Sequence, residues 1–180
     1  MKITRLAAMA AAFALAGGAA LADPAPAPKP EYVLIFGNAN QISLMDRTAI
    51  TTGPDGNPRA PLVSVRREAH TAGFDFAYAI FDTEFDCAGR RVAAVKIDLY
   101  DKQGRLVSSG PDESGALDWQ VAPPHAQSAA ALDLACASLP ERPLIGVSMK
   151  GLPLQRIIDS IFDGPWPYDA VKAKAAAAKP

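Results

Sequence analysis

Apolar and polar positions alternate through the middle of this chain, and the alternation predicts strands. EYVLIF (Glu31 to Phe36) is rich in β-branched and aromatic residues, GNAN (Gly37 to Asn40) turns the chain, and QISLMD (Gln41 to Asp46) sets Ile42 and Leu44 on one side. TGPDGNP (Thr52 to Pro58) is a loop, because its glycines and prolines resist regular structure. PLVSVRRE (Pro61 to Glu68) follows as a strand. In AGFDFAYAIFDTEFDC (Ala72 to Cys87), Phe81, Thr83, Phe85 and Cys87 share one face while Asp82, Glu84 and Asp86 share the other, as a period of two requires. RVAAVKIDLY (Arg91 to Tyr100) resumes the pattern with Ala93, Val95, Ile97 and Leu99 inward. DKQG (Asp101 to Gly104) then turns it into RLVSS (Arg105 to Ser109), a hairpin. DWQV (Asp118 to Val121) is a short last strand, with Trp119 and Val121 expected in the core.

The period then changes to that of a helix. Ser128 is placed to cap AAALDLACASL (Ala129 to Leu139), where Leu132, Ala135, Cys136 and Leu139 form an apolar stripe. In PLQRIIDSIF (Pro153 to Phe162), Leu154, Ile157, Ile158 and Ile161 fall on one side, Pro153 suits the first turn, and Gly164 follows the end. Strands first and helices late predict an α+β fold: a small antiparallel β-sheet with two helices packed on one face.

The two ends differ from this core in composition. Lys2 and Arg5 precede an uncharged Ala/Gly-rich apolar run ending Ala20-Leu21-Ala22, which predicts a secretory signal peptide over residues 1–22 with cleavage before Asp23. After cleavage nothing is expected to span the membrane. DPAPAPKP (residues 23–30) reads as an extended spacer, and VKAKAAAAKP (residues 171–180) as an Ala/Lys-rich flexible tail. Between them, residues 31–170 are one domain's worth of chain. Removing Lys2 and Arg5 from 18 basic residues leaves 16 against 19 acidic ones. So mild an acidity gives no field for holding a phosphate backbone, and no nucleic-acid partner is expected.

Export decides how the two cysteines are read. Cys87 lies on the apolar face of a strand and Cys136 on the apolar stripe of a helix, 49 positions apart. A helix packed on that face brings the thiols into one layer, in a compartment where disulfides persist. Redox catalysis favours a close Cys-x-x-Cys pair with a lowered thiolate pKa. Structural zinc favours closely spaced ligands, a pattern that His70 and His125 do not complete. A Cys87–Cys136 disulfide is the expectation, with no metal and no cofactor.

Other chemistry is sparse. Asp82, Glu84 and Asp86 are a candidate weak cation site, since alternate carboxylates on a strand face could supply oxygens to Ca²⁺. The preferred reading is a solvated face. His70 and His125 sit at turns without a nucleophile motif. The pairs Arg66-Arg67 and Arg90-Arg91 either meet the three acids across neighbouring strands or mark a face for an anionic polymer, and the sequence does not choose. In DGPWPYD (Asp163 to Asp169), Trp166 and Tyr168 form a stiff aromatic element, a candidate partner contact. The preferred reading there is a closing segment over the sheet edge.

ISLMDRTAI (Ile42 to Ile50), FDCAGR (Phe85 to Arg90), IDLYDKQGRLV (Ile97 to Val107), DWQVAPP (Asp118 to Pro124) and the helix ending at Cys136 together resemble the surface-adhesin E-like family of small exported proteobacterial proteins. Asp46, Cys87, Arg90 or Arg91, Tyr100, Gly104, Trp119, Pro123 and Cys136 carry the likeness, which runs from Tyr32 to Cys136. The departures are Leu44-Met45, where an aromatic-aliphatic pair is usual, the long loop from Thr52 to Pro61, and a late serine in PHAQS (Pro124 to Ser128). The resemblance implies a compact antiparallel sheet with helices, one disulfide and an envelope location. The namesake binds host extracellular-matrix proteins, a property no residue here carries over. The expected function is therefore a non-enzymatic envelope protein, in the periplasm or secreted, of interaction or structural type, with an envelope or extracellular protein as partner. The alternative is a periplasmic small-ligand-binding or inhibitor-like domain. A concave apolar pocket favours the second, and an exposed aromatic patch around Trp166 and Tyr168 the first.

Overall fold

The computed structural model of the chain describes residues 28–67, 76–111, 117–137, 148–167 and 169. The predicted leader, residues 23–27 of the spacer, His70, Tyr168 and the tail lie outside them. Strands β1 (Glu31–Gly37), β2 (Gln41–Asp46), β4 (Pro58–Arg66), β5 (Tyr78–Asp86), β6 (Arg91–Tyr100) and β7 (Leu106–Pro111) match the predicted runs to within a few residues, except that β5 starts six residues after the start of its predicted run, whose residues 72–75 lie outside the described ones. So do β8 (Gln120–Val121) and the helices α1 (Gln127–Cys136) and α2 (Leu154–Asp163). Two short strands, β3 (Thr51–Thr52) and β9 (Ser148–Lys150), and a 3-10 turn at Arg47–Ala49 had no sequence signal. All strands join one antiparallel sheet in the order β7-β6-β5-β4-β2-β1-β9, with β3 added to β4 and β8 to β6.

The fold is α+β, as expected, but the two helices do not share a face. Val33, Met45, Leu62 and Phe85 pack with Ala131, Leu132 and Leu134 of α1. Ile42, Leu44, Val63 and Val65 pack with Ile157, Ile158 and Ile161 of α2. The cause lies in the central strands. β1, β2 and β4 carry apolar residues at consecutive positions, so both of their faces are buried and one helix covers each.

A further correction concerns β6. Asp82 pairs with Lys96 but Thr83 pairs with Ala94, which leaves Val95 as a bulge residue. One extra residue exchanges the faces: Val92, Ala94, Ile97 and Leu99 follow the Phe81 side, while Ala93 falls with Glu84. The predicted inward set Ala93, Val95, Ile97 and Leu99 is therefore split between the two faces.

α1 begins two residues earlier than a Ser128 cap would allow. Its N-cap is Ala126, with no side-chain bond to the helix, and the entry is made by backbone: the Ala126 amide donates to Pro123 O at 3.1 Å after His125 adopts a φ of 64°. α2 follows its prediction closely, with Pro153 at the N-cap and Gly164 at the C-cap.

Candidate functional site

The predicted disulfide is present, joining Cys87 after the end of β5 to Cys136 at the end of α1 with Cα atoms 5.7 Å apart. Two side-chain contacts among the described residues tie α1 as well. Arg90 Nη2 meets Asp133 Oδ1 at 3.0 Å near the middle of the helix, and Gln41 Nε2 of β2 donates to Gln127 Oε1 in the first turn. The helix is thus fixed to the sheet along its length.

The acidic strand face is not an open ladder. Arg59 grips Asp82 through both Nε (2.8 Å) and Nη2, and this bond raises the guanidinium pKa. Asp86 accepts from the Gly89 amide at 2.8 Å and from Arg91 Nε at 2.9 Å, and those bonds, the amide first, hold its carboxyl below the usual range. Glu84 is the exception. It is only 3 % exposed, contrary to the solvated face expected for it, and its Oε1 has no hydrogen-bond partner. It stands opposite Arg59 and Ala93 in the sheet and under Gly53 of the β3–β4 loop. Of the three acids, two are engaged by different arginines and the third is enclosed. Among the described residues no group of three or more His, Cys, Asp or Glu is gathered as a metal site would need.

The basic pairs are divided likewise. Arg91 serves Asp86, Arg90 serves Asp133, and Arg67 pairs with Asp169 at 2.8 Å while its guanidinium lies 5.9 Å from the Trp166 ring. Arg66 lies over Phe76. Asp82 takes Arg59, a partner outside the two basic pairs.

Trp166 belongs to the core on the α2 side, 6 % exposed, with Nε1 donating to Asn38 O at 2.7 Å. Its ring is a closing element over the sheet and is not displayed to solvent. Trp119 reverses in the other direction: it is half-buried under the Arg91 guanidinium, 5.4 Å away, and Val121 beside it is exposed. Neither is the core residue the strand pattern predicted. His125 is exposed in the turn before α1.

A concave site does exist, and sequence reasoning missed it. On the α1 side of the sheet, Leu62, Phe81, Thr83, Val92 and Ala94 of β4, β5 and β6 form the floor of an open cleft of about 260 Å³. Asp118 and Gln120 wall it on one side and Gln127, at the start of α1, on the other. Asp118 and Gln120 share that wall because alternate residues of an extended segment point the same way, which leaves Trp119 for Arg91. Thr83 Oγ1 donates to Phe81 O at 3.1 Å and Gln120 Nε2 to Asp118 Oδ2 at 2.7 Å. Two larger clefts, about 450 and 410 Å³, run along the outer side of α2. Their walls are mainly the charged and amide side chains of Arg156, Asp159, Asp163, Lys102 and Gln155. Of the three, only the cleft beside α1 combines a mainly apolar floor with a few polar groups at its mouth.

The residues that carried the family resemblance have structural tasks in this arrangement. Asp46 Oδ1 accepts from the amides of Glu31 and Thr48 and from the Thr48 hydroxyl, Tyr100 stacks on Tyr78, and Gly104 turns the β6–β7 hairpin at a φ of 77°. The sequence model of the surface-adhesin protein E family matches residues 32–137, from β1 to just past the end of α1. Comparison with curated proteins and with solved structures gave no match.

Proposed function

Because the chain belongs to the surface-adhesin protein E family, we propose that it is a non-enzymatic exported protein of the cell envelope that works by interaction, in the adhesin-like manner, with an envelope or extracellular protein. The observation that carries the reading is the family match, which takes in the strands from β1 to β8, α1 and both cysteines. The closed Cys87–Cys136 bond is consistent with an oxidising compartment, and the leader-like residues 1–22 supply a route there. The non-enzymatic character rests on the family.

The test is expression with the chain's own first 22 residues in a bacterium that has a periplasm. The expected product lies in the periplasmic or external fraction, begins at Asp23, and alkylates at Cys87 and Cys136 only after reduction. A cytoplasmic product that keeps its leader and two free thiols overturns the reading. A second reading, a periplasmic small-ligand-binding or inhibitor-like domain, is favoured by one observation, the apolar cleft beside α1.

A further inference from the structure

We propose that the cleft between the β8 segment and the first turn of α1 is the docking site for a single apolar side chain of a protein partner, presented next to a lysine or arginine. The proposal rests on the interaction reading above and names the surface that would perform it.

Three observations support it. The first is size. At about 260 Å³ the cleft falls below the range of roughly 300–1,000 Å³ usual for free small ligands, and it suits one leucine- or phenylalanine-sized group. The second is chemistry. The floor is apolar apart from Thr83, whose hydroxyl proton is already used on Phe81 O. The one charged group in its lining is the Asp118 carboxylate, met by the Gln120 amide and in no ion pair among the described residues; the other polar groups of the walls are the neutral amides of Gln120 and Gln127. The nearest guanidinium in sequence, Arg91, is engaged by Asp86 and the Trp119 ring. An apolar group carried beside a cation matches both features, whereas one carried beside a carboxylate meets repulsion at Asp118.

The third observation is rigidity. α1 is held by Cys136, Asp133 and Gln127, and β8 by its pairing with Arg91 and Val92 and by the Ala122 amide donating to Arg90 O at 3.0 Å. Both walls are thus tied to the sheet at the edges of the floor. The cleft is therefore preformed, and a partner's side chain enters it without first reorganising the protein. Apolar anchors filling such pockets carry a disproportionate share of interface energy.

The experiment uses the disulfide-intact protein, ¹⁵N-labelled, titrated with N-acetylated and C-amidated tripeptides while backbone amide shifts are followed. The lysine–leucine–lysine peptide is expected to give saturable shifts centred on Val92, Ala94 and Gln120. The lysine–alanine–lysine peptide is expected to bind at least about ten-fold more weakly, since it lacks most of the buried carbon, and glutamate–leucine–glutamate more weakly still. Asp118→Asn, at an exposed position, should weaken the first peptide by about two- to five-fold. Ala94→Leu fills the floor and should abolish its binding, with an unchanged fingerprint spectrum away from the cleft showing that the variant is folded.

Equal responses to all three peptides, or shifts centred elsewhere, overturn the proposal. So does 3-methylbutylamine binding as tightly as lysine–leucine–lysine, which would make the cleft a small-ligand site. A protein that is exported and oxidised yet ignores the peptides removes the cleft and leaves the interaction reading standing. A protein that is not exported removes the reading itself.

Discussion

Replacing Gly53 by alanine should change sign as a perturbation when Glu84 is removed, because the two residues occupy the same space. A β-carbon on Gly53 would stand within 3.0 Å of Glu84 Oε1 and 3.3 Å from Asn57 O. Glu84 cannot swing outward to make room, since it is 3 % exposed in the centre of a three-strand ladder between Arg59 and Ala93. Overpacking of this kind destabilises by about 1–3 kcal/mol. In a Glu84→Ala background the obstructing carboxylate is gone and the Asn57 carbonyl is the remaining close neighbour. There Gly53→Ala should be neutral or stabilise by up to about 0.4–1 kcal/mol, through the reduced entropy of the unfolded chain. The two effects combine into a coupling energy of roughly 1–4 kcal/mol between positions 53 and 84. Urea unfolding of the four proteins of the cycle, all with the disulfide intact, measures it. A Gly53→Ala effect of the same sign and size in both backgrounds would refute the argument that the β3–β4 loop closes directly over the buried carboxylate.

Removal of the staple in the double variant Cys87→Ala, Cys136→Ala opens a loop spanning a separation of 49 residues, which in the chain-entropy estimate lowers stability by about 4 kcal/mol. An unfolding free energy from urea titration within about 1 kcal/mol of wild type would show that α1 is held by its packing alone. Trp166→Phe keeps the ring in the core but loses the bond from Nε1 to Asn38 O, and should destabilise by about 1–2 kcal/mol; no change in the unfolding midpoint would remove that bond from the account. The acid response has a definite sign. Glu31, held low by the Ser148 hydroxyl, and Asp86, held low by the Gly89 amide and then Arg91, lie below their ordinary values of 4.5 and 3.8. Their stabilisation is complete above those ordinary values and disappears as pH falls through the depressed ones. Thermal melting should therefore be steady above about pH 5 and fall below pH 4, with a smaller acid loss in Asp86→Asn, and an Asp86→Asn acid profile parallel to wild type would contradict it.

How much of this was legible follows from where local pattern decides structure. The strands with clear period two, and α2 with Ile157, Ile158 and Ile161 on one side, could be placed from sequence because solvent faces their other side. α1 is harder: Ala129, Ala131, Leu132, Leu134 and Ala135 are all buried, so its buried surface is wider than the stripe through Leu132, Ala135 and Cys136. β9 is three residues long and exists through its pairing with β1, a long-range contact with no local signature. The β6 bulge carries no sequence mark, and its one extra residue was enough to reverse the inferred faces of Ala93 and Val92. Glu84 was misread because a polar residue on a polar face was equated with solvent, whereas the β3–β4 loop folds over that part of the face.

The two-sided burial of the central strands also explains why a cleft exists at all. Among the described residues one helix lies on each face, so α1 has the width of β1, β2, β4, β5 and β6 on its side to cover. A ten-residue helix is about 15 Å long, while strands spaced about 4.8 Å apart make those positions of the sheet wider than one helix diameter. α1 covers Val33 and Met45 fully and leaves Leu62, Phe81 and Val92 to line the cleft at its margin, the last two half-buried. The β8 segment closes the far side by pairing with the start of β6 rather than by crossing the face. What remains between them is apolar floor with polar walls, and the same ties that fix α1 keep it open. The disulfide that the sequence marks as a structural staple is therefore also one of the bonds that hold the wall of the site. Its removal should loosen peptide binding at the cleft even under conditions in which the sheet stays folded.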